Sequence, residues 1–363
     1  MLKKILKAGK FKLLSYYREK LRGEHPLYYL FWECTLNCNF FCDHCGSRAG
    51  RNDYSANQLS TEEIKKTFKE IAHNFDSKKI MLAITGGEPL LRSDLFEVME
   101  YAHSLGFQWG MVTNGYLVNE DTVEKMKKSG MSTVVVSIDG LDSVHDNFRH
   151  MPGAYEKAIN AVKLMAQANF LKDLQITTSV HQGNFSQLEE MYKTFLPLGI
   201  SSWRLMNIDP IGRAENNEKI LLTPKQLKEL LEFIRQKRRE NKKVEVKYSC
   251  IGFLGWDFEG EVRDKYFLCG TGITVASILY NGDIFVCPNV PRQPELIQGN
   301  VKVDNFSEVW NNKYDFFRNK NRLYCNKCSQ CQHWEECLGG SVHLWDFEKK
   351  QPKFCHIEYL NKK

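Results

Sequence analysis

The stretch CNFFCDHC, residues 38–45, places three cysteines on one short loop, with three residues between the first pair and two between the second. A structural zinc site with four thiolates usually takes them as two separated pairs, which this loop does not offer. A cubane iron–sulfur cluster suits the spacing better, because a single loop can wrap three corners of the cube. The fourth iron is then left without a ligand from this loop. Cys34 is near enough in sequence to supply one, but its place at the end of an expected strand favours a buried structural thiol.

The chain around this loop alternates short apolar runs with amphipathic helical patterns. The strand-like runs are YYLFW (28–32), KIMLAIT (79–85), QWGMVT (108–113), STVVVSI (132–138), LQITTSV (174–180) and SSWRLMNI (201–208). Helical patterns begin near Ser60, Arg92, Asn119, Gly153 and Ser186, and Ser60 with Glu63 forms a capping box. Strands of this apolar character suit a parallel sheet covered by helices. Six repeats predict an α/β fold with an open (β/α)6 barrel rather than the full eightfold one.

The cysteine spacing resembles that of the radical S-adenosylmethionine (radical SAM) superfamily. Further motifs of that family follow in order at the ends of the expected strands: TGGEP (85–89), TNG (113–115), VSIDG (136–140) and HDNFR (145–149). The resemblance implies a partial radical SAM barrel and a [4Fe-4S] cluster held by Cys38, Cys42 and Cys45. It also implies that the open iron chelates S-adenosylmethionine, whose reductive cleavage yields a 5′-deoxyadenosyl radical that abstracts hydrogen from a substrate.

The same resemblance assigns cofactor-binding roles to residues in these motifs. The expected cofactor-binding residues are Gly86, Gly87, Glu88, Asn114, Ser137, Asp139, Arg149 and His44. The glycines and Glu88 are expected at the methionine amino group, Ser137 and Asp139 at the ribose or methionine, and Arg149 at the carboxylate. His44 stands where the family usually has an aromatic residue and is expected beside the adenine. Each assignment has a structural alternative. GGEP and TNG are sequences that commonly form turns, Asp139 could cap the helix that follows it, and Arg149 could form a surface ion pair.

Eight of the twelve cysteines lie in the last 114 residues. Their spacing, with the segment GNVKVDNFSEVWNN (299–312), resembles the SPASM extension of radical SAM enzymes, whose cysteines bind two auxiliary clusters. The resemblance implies one iron–sulfur cluster on Cys328, Cys331, Cys337 and Cys355. A zinc ribbon built from Cys325, Cys328, Cys331 and Cys337 is the structural alternative.

The other auxiliary cluster is less regular. Cys269 and Cys287 match the family, but Ser341 replaces its cysteine in CLGGS (337–341). We expect Cys250 and Cys325 to complete this set. Two alternatives to this full set of ligands are that one iron of the cluster has no protein ligand and that the cluster is absent.

The sequence divides into four segments. These are a basic N-terminal segment (1–28), the radical SAM partial barrel (29–215), a connecting helix (216–250) and a SPASM auxiliary-cluster domain (251–363), the last expected to be held by metal rather than by a large apolar core. Residues 1–24 hold eight basic and two acidic side chains, so the net charge of +6 lies entirely there. We expect a charged helix with one face on the body of the protein. Contact with an anionic membrane surface or an acidic partner is the alternative.

The body of the chain carries as many acidic as basic residues, and no nucleic-acid partner is expected. Without a secretory pattern or an apolar run of roughly 18 residues, the clustered thiols indicate a cytoplasmic protein with metal ligands rather than disulfides. The resemblance favours a peptide or small protein substrate and an external one-electron donor such as a flavodoxin or ferredoxin, with the auxiliary clusters accepting an electron. A dehydrogenase for a small molecule, such as a sugar alcohol or cofactor precursor, is the alternative.

No catalytic acid or base is assigned. Pro288 follows Cys287, where sulfatase-maturing enzymes carry an aspartate as proton acceptor, and this argues against that activity. His181, Asp209 and His343 are candidates by residue type, although a hydrogen-bonding role is expected for each.

Overall fold

The computed structural model describes residues 2–50, 54–240, 243–249 and 251–362. Within these residues the strands are β1 (Tyr29–Thr35), β2 (Met81–Gly86), β3 (Gln108–Thr113), β4 (Thr133–Ser137), β5 (Asp173–Val180), β6 (Ser202–Asn207), β7 (Glu245–Tyr248), β8 (Val275–Ile278), β9 (Asp283–Phe285), β10 (Gly299–Asn300), β11 (Trp345–Asp346) and β12 (Gln351–Pro352). The helices are α1 (Leu2–Glu24), α2 (Thr61–Asn74), α3 (Leu95–Ser104), α4 (Glu120–Lys128), α5 (Asp142–Arg149), α6 (Ala154–Ala168), α7 (Leu188–Phe195), α8 (Pro224–Glu240), α9 (Phe306–Asn312), α10 (Asp315–Arg318), α11 (Asn326–Ser329), α12 (Trp334–Cys337) and α13 (His356–Leu360).

Ten of these strands form one sheet in the order β10-β9-β8-β1-β2-β3-β4-β5-β6-β7. In this sheet β8 and β1 to β7 run parallel, and β9 pairs antiparallel with both β8 and β10. The predicted α/β partial (β/α)6 barrel is therefore confirmed as β1 to β6. The capping box at the start of α2 is also present, with Ser60 and Glu63 bonded to each other's backbone.

Strand β1 shows how the barrel separates its two faces. Trp32 and Cys34 point to the helices and lie in the main apolar core, while Glu33 between them points to the inner face. Cys34 is a buried structural thiol, as expected, and burial raises its pKa. The Arg92 guanidinium lies 4.8 Å from the Trp32 ring centroid and donates to the Cys34 carbonyl at 2.9 Å. These contacts fix the end of β1, from which the cysteine loop departs.

The C-terminal third has a larger apolar core than expected. Among the described residues of the segment 251–363, seven buried aromatic side chains belong to the same core as the barrel: Phe258, Phe285, Phe306, Trp310, Tyr314, Phe317 and Trp345. The expectation that this domain lacks a large apolar core was therefore wrong, whereas its stabilisation by metal stays a prediction. The sequence did not reveal this core because the aromatic residues are irregularly spaced, on short strands, short helices and loops that give no periodic pattern.

The sheet also crosses the predicted segment boundaries. Strands β8, β9 and β10 lie within 251–363, and β8 pairs with β1 along Tyr29–Trp32. The C-terminal segment thus extends the barrel sheet at its first strand. The boundaries themselves stay predictions.

Helix α1 packs one face on the C-terminal part, as expected. Arg18 is 3 % exposed and donates to the carbonyls of Phe267 and Glu336, the second at 3.0 Å. Its opposite face leaves Leu13 and Tyr16 more than two-thirds exposed. Among the described helices, none combines the length and apolar character that crossing a bilayer requires.

Candidate active site

The cysteine loop leaves the carboxyl end of β1 and is closed by its own backbone. The Cys38 N–H donates to the Gly50 carbonyl at 2.8 Å, so the loop returns to its starting point. Cys38, Cys42 and Cys45 then share one small apolar cluster with the buried Phe40. Burial raises the pKa of Cys38 to about 12 and that of Cys42 to about 11. The structure thus gathers the three predicted thiols at the barrel edge where such folds carry their chemistry.

The turn after β6 holds this loop from the other side, and the sequence reasoning missed it. Arg213 donates through Nε to the Cys42 carbonyl at 2.7 Å and through Nη1 to the Ala49 carbonyl at 2.8 Å. Gly212, at φ +58°, approaches so closely that a Cβ would lie 2.4 Å from the Cys45 carbonyl oxygen. The sequence feature that could have indicated this contact is the Gly-Arg pair in the turn-rich stretch after the last predicted strand.

Gly86 and Gly87 are required by the protein's own backbone. A Cβ at Gly86 would lie 2.1 Å from the Thr35 carbonyl oxygen, and one at Gly87 would lie 2.0 Å from that of Asn37. The Gly87 N–H donates to the Thr35 carbonyl at 2.8 Å. The glycines of TGGEP therefore pack directly against the backbone at the carboxyl end of β1. The predicted contact of this motif with the cofactor stays a prediction.

Glu88 is a buried carboxylate whose oxygens accept protein hydrogen bonds. It accepts from the Thr113 hydroxyl and from the Asn114 N–H, both at 2.8 Å. Burial raises its pKa, although these hydrogen bonds oppose the shift. The Asn114 side chain donates in turn to Asn39 of the cysteine loop at 2.8 Å. Glu88 and Asn114 thus tie β2, β3 and the cysteine loop together.

Asp139 and Arg149 form a buried ion pair next to Cys42. Arg149 donates to one Asp139 oxygen through Nε at 2.9 Å and Nη2 at 2.6 Å, and its Nη1 lies 3.9 Å from the Cys42 sulfur. Although burial opposes it, the guanidinium lowers the pKa of Asp139 to about 2. Ser137 is buried at the end of β4. Arg149 is therefore not a surface ion pair, and its cation lies where it stabilises a thiolate.

His44 stacks on a protein ring. Its imidazole lies 4.6 Å from the Phe148 ring centroid at an interplanar angle of 10°, and Phe148 stacks in turn on His181 at 3.8 Å. Burial lowers the pKa of His44 to about 4, against the attraction of Asp139, so the ring is neutral at pH 7. Within the described part of the chain, its buried Nδ1 has no hydrogen-bond partner.

These residues fit an iron–sulfur cluster with S-adenosylmethionine. The three thiols share one loop, a cation faces one of them, and the buried His44 Nδ1 has no partner among the described atoms. Thiolates are the ligands that such clusters take, and a nearby cation favours the thiolate form. The ligand and cofactor roles of the individual residues stay predictions.

A second group of cysteines surrounds a cavity of about 290 Å³ in the C-terminal part. The cysteines that line it are Cys328, Cys331, Cys337 and Cys355. His333 Nδ1 and His356 Nε2 also belong to residues of this wall, and neither has a hydrogen-bond partner among the described atoms. The structure therefore brings together the four residues predicted for one auxiliary cluster, in a space whose donors fit it.

The residues predicted for the other auxiliary cluster are arranged differently. Cys269 lies beside Thr271 and Arg322, and although burial raises its pKa, the Arg322 cation and the Thr271 hydroxyl bring it below its ordinary value. Cys325 lies next to Cys328, on the side of the four-cysteine cavity. Cys287 is half-buried against the main core.

Two further positions bear on this predicted set. Cys250 lies outside the described residues. Ser341 accepts a hydrogen bond from the Gly252 N–H at 3.0 Å. The set of Cys269, Cys287, Cys250 and Cys325 stays a prediction.

The three acid–base candidates make hydrogen bonds or ring contacts, as expected. His343 Nε2 lies 3.0 Å from the Asp209 carboxylate, joining the C-terminal part to the loop after β6. His181 lies under Phe148, with its Nε2 3.4 Å from the Asp139 carbonyl.

Comparison with known proteins identifies both parts of the chain. The profile of the radical SAM superfamily matches residues 32–195, and that of SPASM, an iron–sulfur cluster-binding domain, matches residues 269–332. The second match favours iron–sulfur over a zinc ribbon in the C-terminal part.

Similar proteins span nearly the whole chain. The AdoMet-dependent heme synthase of Methanosarcina barkeri is 29 % identical, covering 88 % of this chain and 94 % of its own. The mycofactocin maturase MftC of Mycolicibacterium smegmatis is 28 % identical, covering 86 % and 77 %. The structure of Streptococcus suis SuiB bound to S-adenosylmethionine superposes with a TM-score of 0.72 over 93 % of this chain and 78 % of that one, at 18 % identity. The chain belongs to the radical SAM superfamily, with a C-terminal SPASM domain, and its cofactors are a [4Fe-4S] cluster, S-adenosylmethionine and auxiliary iron–sulfur.

Proposed function

We propose that this enzyme abstracts hydrogen from a peptide or small protein and completes the reaction by passing an electron to an auxiliary cluster. The observation that carries the radical chemistry is the gathering of Cys38, Cys42 and Cys45 at the carboxyl edge of the barrel. The similarity to mycofactocin maturase MftC across 86 % of the chain supports the choice of a peptide.

When bound at the cysteine loop, the cluster with S-adenosylmethionine supplies a carbon-centred radical. The protein's own residues hold that loop in place. Arg213 anchors two loop carbonyls, and the Asp139–Arg149 pair places a cation beside Cys42. The His44 ring is neutral at pH 7 and so adds no charge beside Arg149, and its Nδ1 has no hydrogen-bond partner among the residues that the structure describes.

The four-cysteine cavity is the proposed auxiliary site that accepts the substrate electron. Iron counting bears on the number of such sites. About twelve irons per chain correspond to three cubane clusters, while about eight correspond to a single auxiliary cluster.

We further propose a cytoplasmic enzyme that receives electrons from a flavodoxin or ferredoxin. Helix α1 is the proposed site of any peripheral membrane contact, since the exposed Leu13 and Tyr16 side chains lie on the most basic segment of the chain.

The test is a mass measurement. Reduced enzyme and S-adenosylmethionine are incubated without oxygen with short peptides encoded beside its gene, and the peptides are examined by mass spectrometry. We expect a mass change in one peptide, accompanied by 5′-deoxyadenosine. Formation of 5′-deoxyadenosine with no change in any of the peptides would contradict the proposed substrate class.

A small cofactor precursor is the second candidate. The heme synthase relative, 29 % identical over 88 % of the chain, favours it. A heme precursor consumed in the same assay, with every peptide unchanged, would establish this alternative.

A further inference from the structure

A buried carboxylate lies on the inner face of the barrel, close to the cysteine loop. Glu33 is 0 % exposed, and its Oε2 accepts a hydrogen bond from Arg292. Its Oε1 has no hydrogen-bond partner within the described part of the chain. An unpaired buried carboxylate oxygen costs stability, so a purely structural role does not account for it.

Glu33 lies close to the proposed radical site. It stands opposite Thr85 of β2, two residues before Thr35 ends the strand. With a rise of about 3.3 Å per residue, the cysteine loop begins about 7 Å further along. A group held at Glu33 would therefore lie just beneath the site of hydrogen abstraction.

Arg292 reaches Glu33 from the C-terminal part of the chain. It follows Cys287 by five residues, and its side chain is 28 % exposed. Of the protein hydrogen bonds that the described residues give it, only the one from Nη2 to Glu33 is present. The other N–H groups of a guanidinium fixed in this way remain available as donors in a defined plane.

The charge of the pair selects the ligand. Glu33 already balances Arg292, so a second carboxylate would add an unpaired negative charge to a buried site. A neutral amide suits the pair better, because its carbonyl accepts from Arg292 and its N–H is the donor that the Glu33 Oε1 lacks.

We propose that Arg292 and Glu33 bind an amide group of the substrate on the inner face of the barrel, beneath the cysteine loop. Both residues contact the amide: Arg292 donates to its carbonyl, and the Glu33 Oε1 accepts from its N–H. The choice of an amide rests on the proposed peptide substrate. The pair links the strand that leads to the radical site with the segment that follows Cys287.

Binding of a small amide tests this pair. The probe is N-acetylglycinamide, titrated into the reconstituted holoenzyme with S-adenosylmethionine and followed by saturation-transfer NMR, with acetate as the anionic comparison. We expect saturable amide binding that Arg292→Lys and Glu33→Gln each weaken by about tenfold, equivalent to one charge-assisted hydrogen bond. Acetate should bind more weakly than the amide.

Glu259→Gln is the matched control, because Glu259 is equally buried and paired with Arg263 but also accepts from the Leu254 and Phe267 N–H groups. This control should bind the amide as the wild type does. Iron content and circular dichroism show whether each variant is folded. If Glu33→Gln does not fold, the comparison of Arg292→Lys with the wild type tests the proposal. Equal amide binding by all folded variants, or tighter binding of acetate, would overturn the proposal.

The peptide assay separates this proposal from the proposed function. Pair-dependent amide binding with no peptide modified supports the pair and counts against the peptide substrate. Peptides modified at wild-type rates by both variants would overturn the pair and leave the peptide substrate standing.

Discussion

Arg213 is the side chain with the most direct hold on the cysteine loop. Replacing it by alanine leaves the Cys42 and Ala49 carbonyls without their guanidinium donor. Since hydrogen bonds to a charged group contribute about 1.5–3 kcal/mol, we expect Arg213→Ala to lower the free energy of unfolding by about 2–4 kcal/mol. We also expect a loss of iron from the loop. Denaturant unfolding and iron analysis measure the two effects.

Arg48→Ala is the control for this loop. Arg48 donates to the Gly212 carbonyl at 2.9 Å, yet its side chain is largely exposed, so its removal should cost little. Equal iron retention by the two variants would show that Arg213 does not hold the loop.

The His343–Asp209 pair predicts a pH-dependent contribution to stability. Although burial opposes it, Asp209 raises the pKa of His343 above its ordinary value. A raised pKa in the folded state means that this contribution is complete below the unfolded value near 6.5 and is lost as the pH rises through the folded value. We expect Asp209→Asn to cost about 1–3 kcal/mol at pH 6 and progressively less toward pH 9. Thermal unfolding of both proteins across this range measures the difference, and a cost that is constant or grows with pH would contradict the pairing.

At the scale of the element, α1 is held to the rest of the chain by a buried cation. Arg18 donates to main-chain carbonyls of two separate C-terminal segments, around Phe267 and Glu336. We expect Arg18→Ala to release the helix, with faster proteolysis within α1 and a loss of about 2–4 kcal/mol in unfolding free energy. Lys20→Ala, two residues away on the exposed face, should leave both unchanged. Equal proteolysis of the two variants would show that Arg18 does not fix α1.

The six barrel strands could be predicted because each combines an apolar run with a helix pattern after it. Strands β7 and β8 could not, since each has only four residues and no such pattern around it. The motifs TGGEP, TNG and VSIDG lie at the ends of β2, β3 and β4, as the sequence predicts, yet the contacts of their residues differ from the simplest expectation. Gly86 and Gly87 pack against the backbone at the end of β1, and Arg149 forms an ion pair with Asp139. Such contacts join residues far apart in sequence, and spacing along one chain does not reveal them.

For the whole molecule, one sheet joins the barrel that carries the cysteine loop to the C-terminal part of the chain. Strand β1 carries the cysteine loop at its end and pairs with β8 of the C-terminal part along its side. The Glu33–Arg292 pair and the His343–Asp209 pair connect the same two parts. These contacts hold the barrel and the C-terminal part together along one side of the sheet.

The most direct test is cleavage of S-adenosylmethionine by the reconstituted, reduced protein under anaerobic conditions, measured as 5′-deoxyadenosine by mass spectrometry. The wild-type protein should form it. The triple variant Cys38→Ala, Cys42→Ala, Cys45→Ala should form none and should bind about four fewer irons per chain while keeping the auxiliary iron. Failure of the wild-type protein to cleave S-adenosylmethionine, or equal cleavage by the triple variant, would contradict the account.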